Sequence, residues 1–168
     1  PLELGKPAEG TWAIWENAEA ESLERMLQSV GVSTQRVSSF DDVGEAEGLI
    51  CLWPKGAGEL TESLENTAQA LAMIQSQPSV PMVWLTQGSV GVDLTDTVDV
   101  LETSALWGLA RSARSENPEL RLNLVDVLDL STDIEPVKHA LSINGEPEIA
   151  IRTGDALSLI HISEPTRR

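Results

Sequence analysis

Tyrosine is absent from the 168 residues, and the chain has one cysteine, one phenylalanine and two histidines. Without a phenol, this chain alone cannot complete a step that protonates a carbonyl oxygen from tyrosine. One thiol makes no intrachain disulfide, and nothing points to an oxidising compartment. That thiol, Cys51, lies in the apolar run Leu49-Ile50-Cys51-Leu52-Trp53, with no basic residue nearer than Lys55, and reads as a buried structural residue. Two histidines and one cysteine cannot assemble a zinc site with ordinary spacing. His139, beside Lys138, reads as a solvated helix residue. Basic residues are scarce too: 11 Lys and Arg stand against 27 Asp and Glu, a formal charge of −16. Such a field repels phosphate backbones and anionic lipid, so nucleic acid and membrane surfaces are excluded as partners. The acidic residues are not spaced as a calcium loop. No apolar run approaches the length of a membrane span and no signal peptide opens the chain, so a soluble, cytoplasmic protein is expected.

What is present is an ordinary globular composition, 41% hydrophobic, in a length that suits one core. Residues 1–10 carry two prolines and two glycines and read as a linker. Thr11 to Trp15 reads as a strand. An amphipathic helix follows with Leu23, Met26, Leu27 and Val30 on one stripe, and Gly31 stands where a helix C-cap glycine belongs. Short strands are expected at Thr34–Ser38 and Gly48–Trp53, the second apolar throughout, as in a strand buried on both faces. Leu60 to Gln75 reads as a helix with Leu64, Ala68, Leu71 and Ile74 or Gln75 along a face. Met82 to Thr86 is a strand and Gln87 to Val100 a loop. A helix from about Ser104 to Asn117 is stopped by Pro118. Arg121 to Val127 is a strand, Asp133 to Ser142 a short helix with Pro136 in its first turn, and Glu148 to Arg152 a last strand. This alternation predicts an α/β three-layer fold with a mostly parallel sheet.

The helix around Ala105-Leu106-Trp107-Gly108-Leu109-Ala110 is apolar on every side, so it should be buried on more than one face. Gly108 in mid-helix costs about 1 kcal/mol relative to alanine, which suggests that something approaches closely there. The C-terminal half of the Leu60–Gln75 helix is also apolar nearly all round, so Leu71, Ile74, Leu106, Trp107, Gly108, Leu109, Ala110 and Ala113 are candidate interface residues. The five tryptophans mostly fall on strands and read as core. Gly56-Ala57-Gly58 looks like the start of a dinucleotide fingerprint, but it follows the third strand and lacks the third glycine. After the first strand stand Glu16-Asn17-Ala18, with a carboxylate where phosphate charge would have to sit.

Ala105-Leu106-Trp107-Gly108-Leu109-Ala110-Arg111, Glu116-Asn117-Pro118-Glu119-Leu120 and Leu124-Val125-Asp126 together resemble a signature of the ketoreductase region of type I modular polyketide synthases. The resemblance is to the structural, non-catalytic subdomain of that region. Trp12-Ala13-Ile14, Leu52-Trp53, Val83-Trp84-Leu85-Thr86-Gln87-Gly88 and Ile149-Ala150-Ile151-Arg152 with Gly154 carry it across residues 11–156. Asn117 departs from a common histidine and Ala110 from a common glycine. The resemblance implies a degenerate Rossmann-like, short-chain dehydrogenase-like fold that braces a separate catalytic ketoreductase subdomain of the same chain. It also implies that NADPH and the catalytic residues belong to that missing half, with no catalytic, cofactor or metal residues here. The parent activity would be reduction of β-ketoacyl chains held on an acyl carrier protein, with other synthase domains as indirect partners. Thr86 and Ser89 stand where short-chain reductases place a catalytic serine, yet the following helix offers neither the phenol nor the lysine of that family. The alternative is a free-standing flavodoxin-like or Rossmann-like signalling or ligand-binding domain. It would want a carboxylate after the third strand and a lysine after the fifth, where Trp53-Pro54 and Val127-Leu128 stand. Residues 157–168, with His161, resemble a translated sequencing-library transposase adapter and are expected to be a non-native tail.

Overall fold

The computed structural model of the chain describes residues 2–55, 60–76, 79–92 and 100–159. Gly56-Ala57-Gly58, His161 and most of the adapter-like tail lie outside them.

Among the described residues the elements are, in chain order, β1 (Thr11–Trp15), α1 (Ala20–Ser29), β2 (Ser33–Val37), β3 (Leu49–Leu52), α2 (Leu60–Gln75), β4 (Met82–Gln87), α3 (Leu101–Glu116), β5 (Leu122–Val127), α4 (Leu130–Ala140), β6 (Glu148–Arg152) and β7 (Asp155–Ser158), with a 3-10 turn at Phe40–Asp42. The seven strands form one sheet in the order β2-β1-β3-β4-β5-β6-β7. Neighbours from β2 to β6 pair in parallel, and β7 pairs antiparallel with β6. The fold is the Rossmann-like α/β arrangement expected from the alternation of elements, and the order reverses between β1 and β3.

Strand alternation divides the core in two. Trp12, Ile14, Ile50, Leu52, Val83, Leu85, Val125, Val127, Ile149 and Ile151 face α1 and α4, where Leu23, Leu27, Ile134 and Val137 meet them. Ala13, Leu49, Cys51, Trp53, Met82, Trp84, Leu122 and Leu124 face α2 and α3, against Ala70, Met73, Leu106, Trp107 and Ala110. The β3 run Leu49–Leu52 is buried at every position, as its unbroken apolar sequence requires. Gly48 precedes it because nothing larger fits: a Cβ there would lie 2.5 Å from Trp12 Cζ3 and 2.9 Å from the Pro81 carbonyl oxygen. Gly31 sits at φ +85°, the left-handed conformation that ends α1.

Several boundaries differ from expectation. Helix α4 starts at Leu130 because Asp129 caps it, its side chain accepting from the Ser131 amide at 2.9 Å. Pro136 therefore lies inside the helix rather than in its first turn; Thr132, the residue whose carbonyl loses its donor, is exposed. Helix α3 starts three residues before Ser104, at Leu101. Strand β7 was not expected. Thr153 and Gly154, at φ 51° and 86°, turn the chain tightly out of β6, and Leu157 and Ser158 then pair with Ala150 and Ile149. Two residues set aside with the tail thus complete the sheet. The segment read as a linker is strapped to the body: the Leu2 amide donates to Ala156 O at 2.7 Å and the Ala8 amide to Lys138 O at 3.1 Å.

Candidate functional site

Open α/β sheets take ligands beyond the carboxyl ends of their strands, at the point where strand order reverses. In this chain that point lies between β1 and β3, and it is bridged. The Asn17 side-chain amide donates to Leu52 O at 2.8 Å, while Asn17 Oδ1 accepts from the Glu19 amide at 2.9 Å. Trp15 stacks on Phe40 with ring centroids 4.9 Å apart. Glu16 meets Arg36 at 3.4 Å.

The carboxyl ends of β4, β5 and β6 converge on a buried polar cluster. Asp126, on β5, is fully buried. Its Oδ1 accepts from Thr86 Oγ1 at 2.6 Å and from the Ser89 amide at 2.9 Å. Its Oδ2 meets Arg152 Nη2 at 2.8 Å. Trp107 Nε1 donates to Thr86 Oγ1 at 3.2 Å, the Ser89 and Thr103 hydroxyls share a hydrogen bond, and Ser104 Oγ donates to Ser89 O at 2.8 Å. Thr86 and Ser89 are therefore held in a closed network, with Ser89 98% buried. No phenol or lysine enters it. The sequence named Asp126 and Arg152 only as marks of a resemblance. A single carboxylate in Leu122–Val127 and a single cation ending Glu148–Arg152, both in otherwise apolar or neutral strand interiors, are the signals that point to a buried pair.

A second charged cluster lies at the other end of β6. Glu148 is nearly buried and accepts from Arg111 Nε at 2.9 Å and Nη2 at 2.6 Å, and from Arg114. Burial pushes its carboxyl upward, but the hydrogen bonds and charges of Arg111 and Arg114 outweigh that, so its pKa lies below the ordinary glutamate value. Cys51 is buried among apolar neighbours, which pushes its thiol far above the usual range and leaves it inert at neutral pH. His139 is only partly exposed, and its Nδ1 hydrogen-bonds Gly5 O at 2.8 Å, tying down the leading segment rather than standing free. Among the described residues no group of three or more His, Cys, Asp or Glu is arranged to hold a metal ion, and no helix is long and apolar enough to cross a membrane. Two cavities, of about 500 and 200 Å³, lie at the amino ends of the strands, away from the Asp126 cluster, with Pro81, Arg121 and Asn123 in each lining and Arg114 of the Glu148 cluster lining the smaller.

The outer surface of α2 and α3 has a different character. Leu60, Leu64 and Leu71 are 75%, 62% and 42% exposed, and all three lie on α2. Ala68 and Ala72 are exposed beside them. On the adjoining helix Ala105, Gly108 and Ser112 are exposed and Leu109 is half-buried, and, apart from the helix's own adjacent backbone, no atom of the described residues lies within 4 Å of where a Gly108 Cβ would be. Of the interface candidates, Leu71 and Gly108 lie on this surface, with Leu109 and Ile74 at its edge. Leu106, Trp107, Ala110 and Ala113 do not: they are buried against this chain's own sheet, because α3 turns its bulkiest stripe inward. The surface is a leucine ridge beside a low, small-residue helix.

Residues 6–158 match the family model described as "Polyketide synthase extender module SpnB, Rossmann fold domain". The PKS-NRPS hybrid synthetase acdB of Aspergillus candidus is 35% identical over 147 residues, which are 82% of this chain and 6% of that protein. The mycoketide-CoA synthase of Mycobacterium tuberculosis is 40% identical over 96 residues, 55% of this chain and 2% of that protein. The chain thus spans a small part of the relatives it matches. Among solved structures, a C2-type ketoreductase from a modular polyketide synthase superposes with a TM-score of 0.72 at 19% identity, over 91% of this chain and 40% of that one. The first ketoreductase of the tylosin PKS gives 0.63 at 18% identity, over 90% and 38%. At such identities these two show the fold alone. With the family match covering nearly all of the sheet and its helices, this chain belongs to the Rossmann-fold domain family of polyketide synthase extender modules.

Proposed function

We propose that this chain is the structural, non-catalytic half of a ketoreductase region, bracing a separate half that reduces carrier-bound β-ketoacyl chains with NADPH. The observation that carries the reading is the outward leucine ridge Leu60, Leu64 and Leu71 beside the open helix surface at Gly108. Three large apolar side chains on one helix are costly to leave in water, each worth about 1.5–3 kcal/mol when fully buried. A partner helix can lie over Gly108 with its side chains against the leucines. The absence of tyrosine and the bridging of the β1–β3 crevice by Asn17 support a role without chemistry. The catalytic half of the same polypeptide is the partner, and NADPH belongs to it. Other synthase domains and the carrier protein engage this chain only through that half. A free-standing signalling domain has no comparable support, since β3 and β5 run into Trp53-Pro54 and Val127-Leu128 rather than a phosphoacceptor set.

The test co-expresses the chain with the reductase half encoded after it in the same gene. Co-purification is expected with the native chain and not with Leu64→Asp plus Leu71→Asp, whose own melting temperature should scarcely change. NADPH titrated onto the chain alone, followed by tryptophan fluorescence, should show no saturation; saturable quenching would overturn the non-catalytic assignment.

A further inference from the structure

We infer that Arg152 acts as a resident ligand: its guanidinium fills an internal cation site at the carboxyl ends of β4, β5 and β6, and in filling it sets the position of residues 88–90, just after β4, and the first turns of α3. Acceptors among the described residues build the site. Arg152 Nη2 meets Asp126 Oδ2 at 2.8 Å and Val90 O at 2.7 Å, and Nη1 meets Asp126 O at 3.2 Å and Ile151 O at 3.0 Å. Asp126 is fully buried and Arg152 is 92% buried, so the acceptors are shielded from water. They come from three separate stretches of chain, after β4, on β5 and on β6. Only a planar donor with several N–H groups in fixed directions can satisfy them together, and an ammonium at the end of a lysine stem cannot.

From this pair the bonds run outward to α3. The second oxygen of Asp126 holds Thr86 Oγ1 and the Ser89 amide at 2.6 and 2.9 Å. Ser89 in turn binds Thr103 through its hydroxyl, and its carbonyl accepts from Ser104 Oγ at 2.8 Å. Thr86 accepts from the Trp107 indole at 3.2 Å. Every side chain in this chain of contacts is buried or half-buried. The β6–β7 hairpin, turning at Thr153 and Gly154, thus presents a side chain that anchors α3 across the width of two strands. Part of the edge where sheets of this topology take ligands is occupied by the protein's own cation. The inference stands whether or not the outer surface of α2 and α3 binds a reductase half.

The experiment compares the native chain with Arg152→Ala and Arg152→Lys by hydrogen exchange and mass spectrometry. In Arg152→Ala the amides of residues 88–90 and 103–107 should exchange on the order of tenfold faster or more, while β1 and β2 keep their protection. Millimolar guanidinium, far below denaturing concentrations, should restore much of that protection, and equal ammonium should not. Arg152→Lys should stay unprotected in the same segments. Unchanged exchange at 88–90 and 103–107, a uniform rise over the whole sheet, or equal rescue by ammonium overturns the assignment. Where Arg152→Ala fails to fold, Arg152→Lys decides: fast exchange confined to those segments supports it, and native protection there overturns it.

Discussion

At the scale of single residues, Gly48 shows how tightly the two faces of the sheet share space. Its missing side chain admits the Trp12 ring edge and the Pro81 carbonyl together, at 2.5 and 2.9 Å from where a Cβ would stand. Neither neighbour can retreat far, since Trp12 is buried and Pro81 O accepts from the Leu49 amide at 2.8 Å. Gly48→Ala is expected to destabilise the chain by about 1–3 kcal/mol, read from thermal or urea unfolding. Glu148 carries the clearest acid dependence. Its folded pKa is depressed, so the unfolded chain binds its proton more readily than the folded one. The stabilisation it supplies is complete above the unfolded glutamate value of about 4.3 and disappears as pH falls through the lower folded value. Urea midpoints measured from pH 7 downward should therefore fall more steeply below about pH 4 in the native chain than in Glu148→Gln.

Helix α2 sets the lesson at the scale of elements. Its sequence shows an apolar stripe at Leu64, Ala68 and Leu71, and such a stripe ordinarily marks the core-facing side. Here it faces outward, and the inward side is made of Ala70 and Met73 with Ser63, Thr67 and Ile74. The bounds of α2 were legible; of the two candidate interface residues named on it, Leu71 is exposed while Ile74 packs partly against the core. Helix α3 shows the complementary case. Apolar on all sides, it gave no means of dividing Leu106, Trp107, Ala110 and Ala113, which are buried in this chain, from Ala105 and Gly108, which are exposed. The lone charges Asp126 and Arg152 were legible as candidates for burial, but their pairing was not, since they stand on strands that meet only through the sheet. Strand β7 was hidden because its hairpin turn runs into residues set apart by their likeness to foreign sequence. Gly108 yields the prediction at this scale. With open space above it, Gly108→Ala should stabilise the isolated chain by up to about 1 kcal/mol through helix propensity. Gly108→Trp, equally tolerated by the isolated chain, should abolish co-purification with the reductase half.

On the scale of the whole molecule, the sheet is the unit of organisation, and its β7 edge brings Leu2 beside Ala156. The Leu2 amide bonds Ala156 O at 2.7 Å, and Leu2 and Leu4 pack onto the core beneath. The family match spans residues 6–158, so nearly every matched residue lies between these two neighbouring points. A circular permutant should therefore fold: a short glycine-serine linker from Leu159 to Leu2, with new ends opened at the exposed Gly145 turn, should keep a cooperative melt and the native circular dichroism spectrum. Loss of cooperativity would mean that the connection between α4 and β6 must be continuous at Gly145 for the sheet to form. The proximity of Leu2 and Ala156 has an architectural corollary. A longer polypeptide that carried this unit would enter and leave it at one corner, so its flanking modules would be neighbours however many residues the unit adds between them. Such a body behaves as a cassette, able to be lengthened, exchanged or deleted without moving apart what it joins.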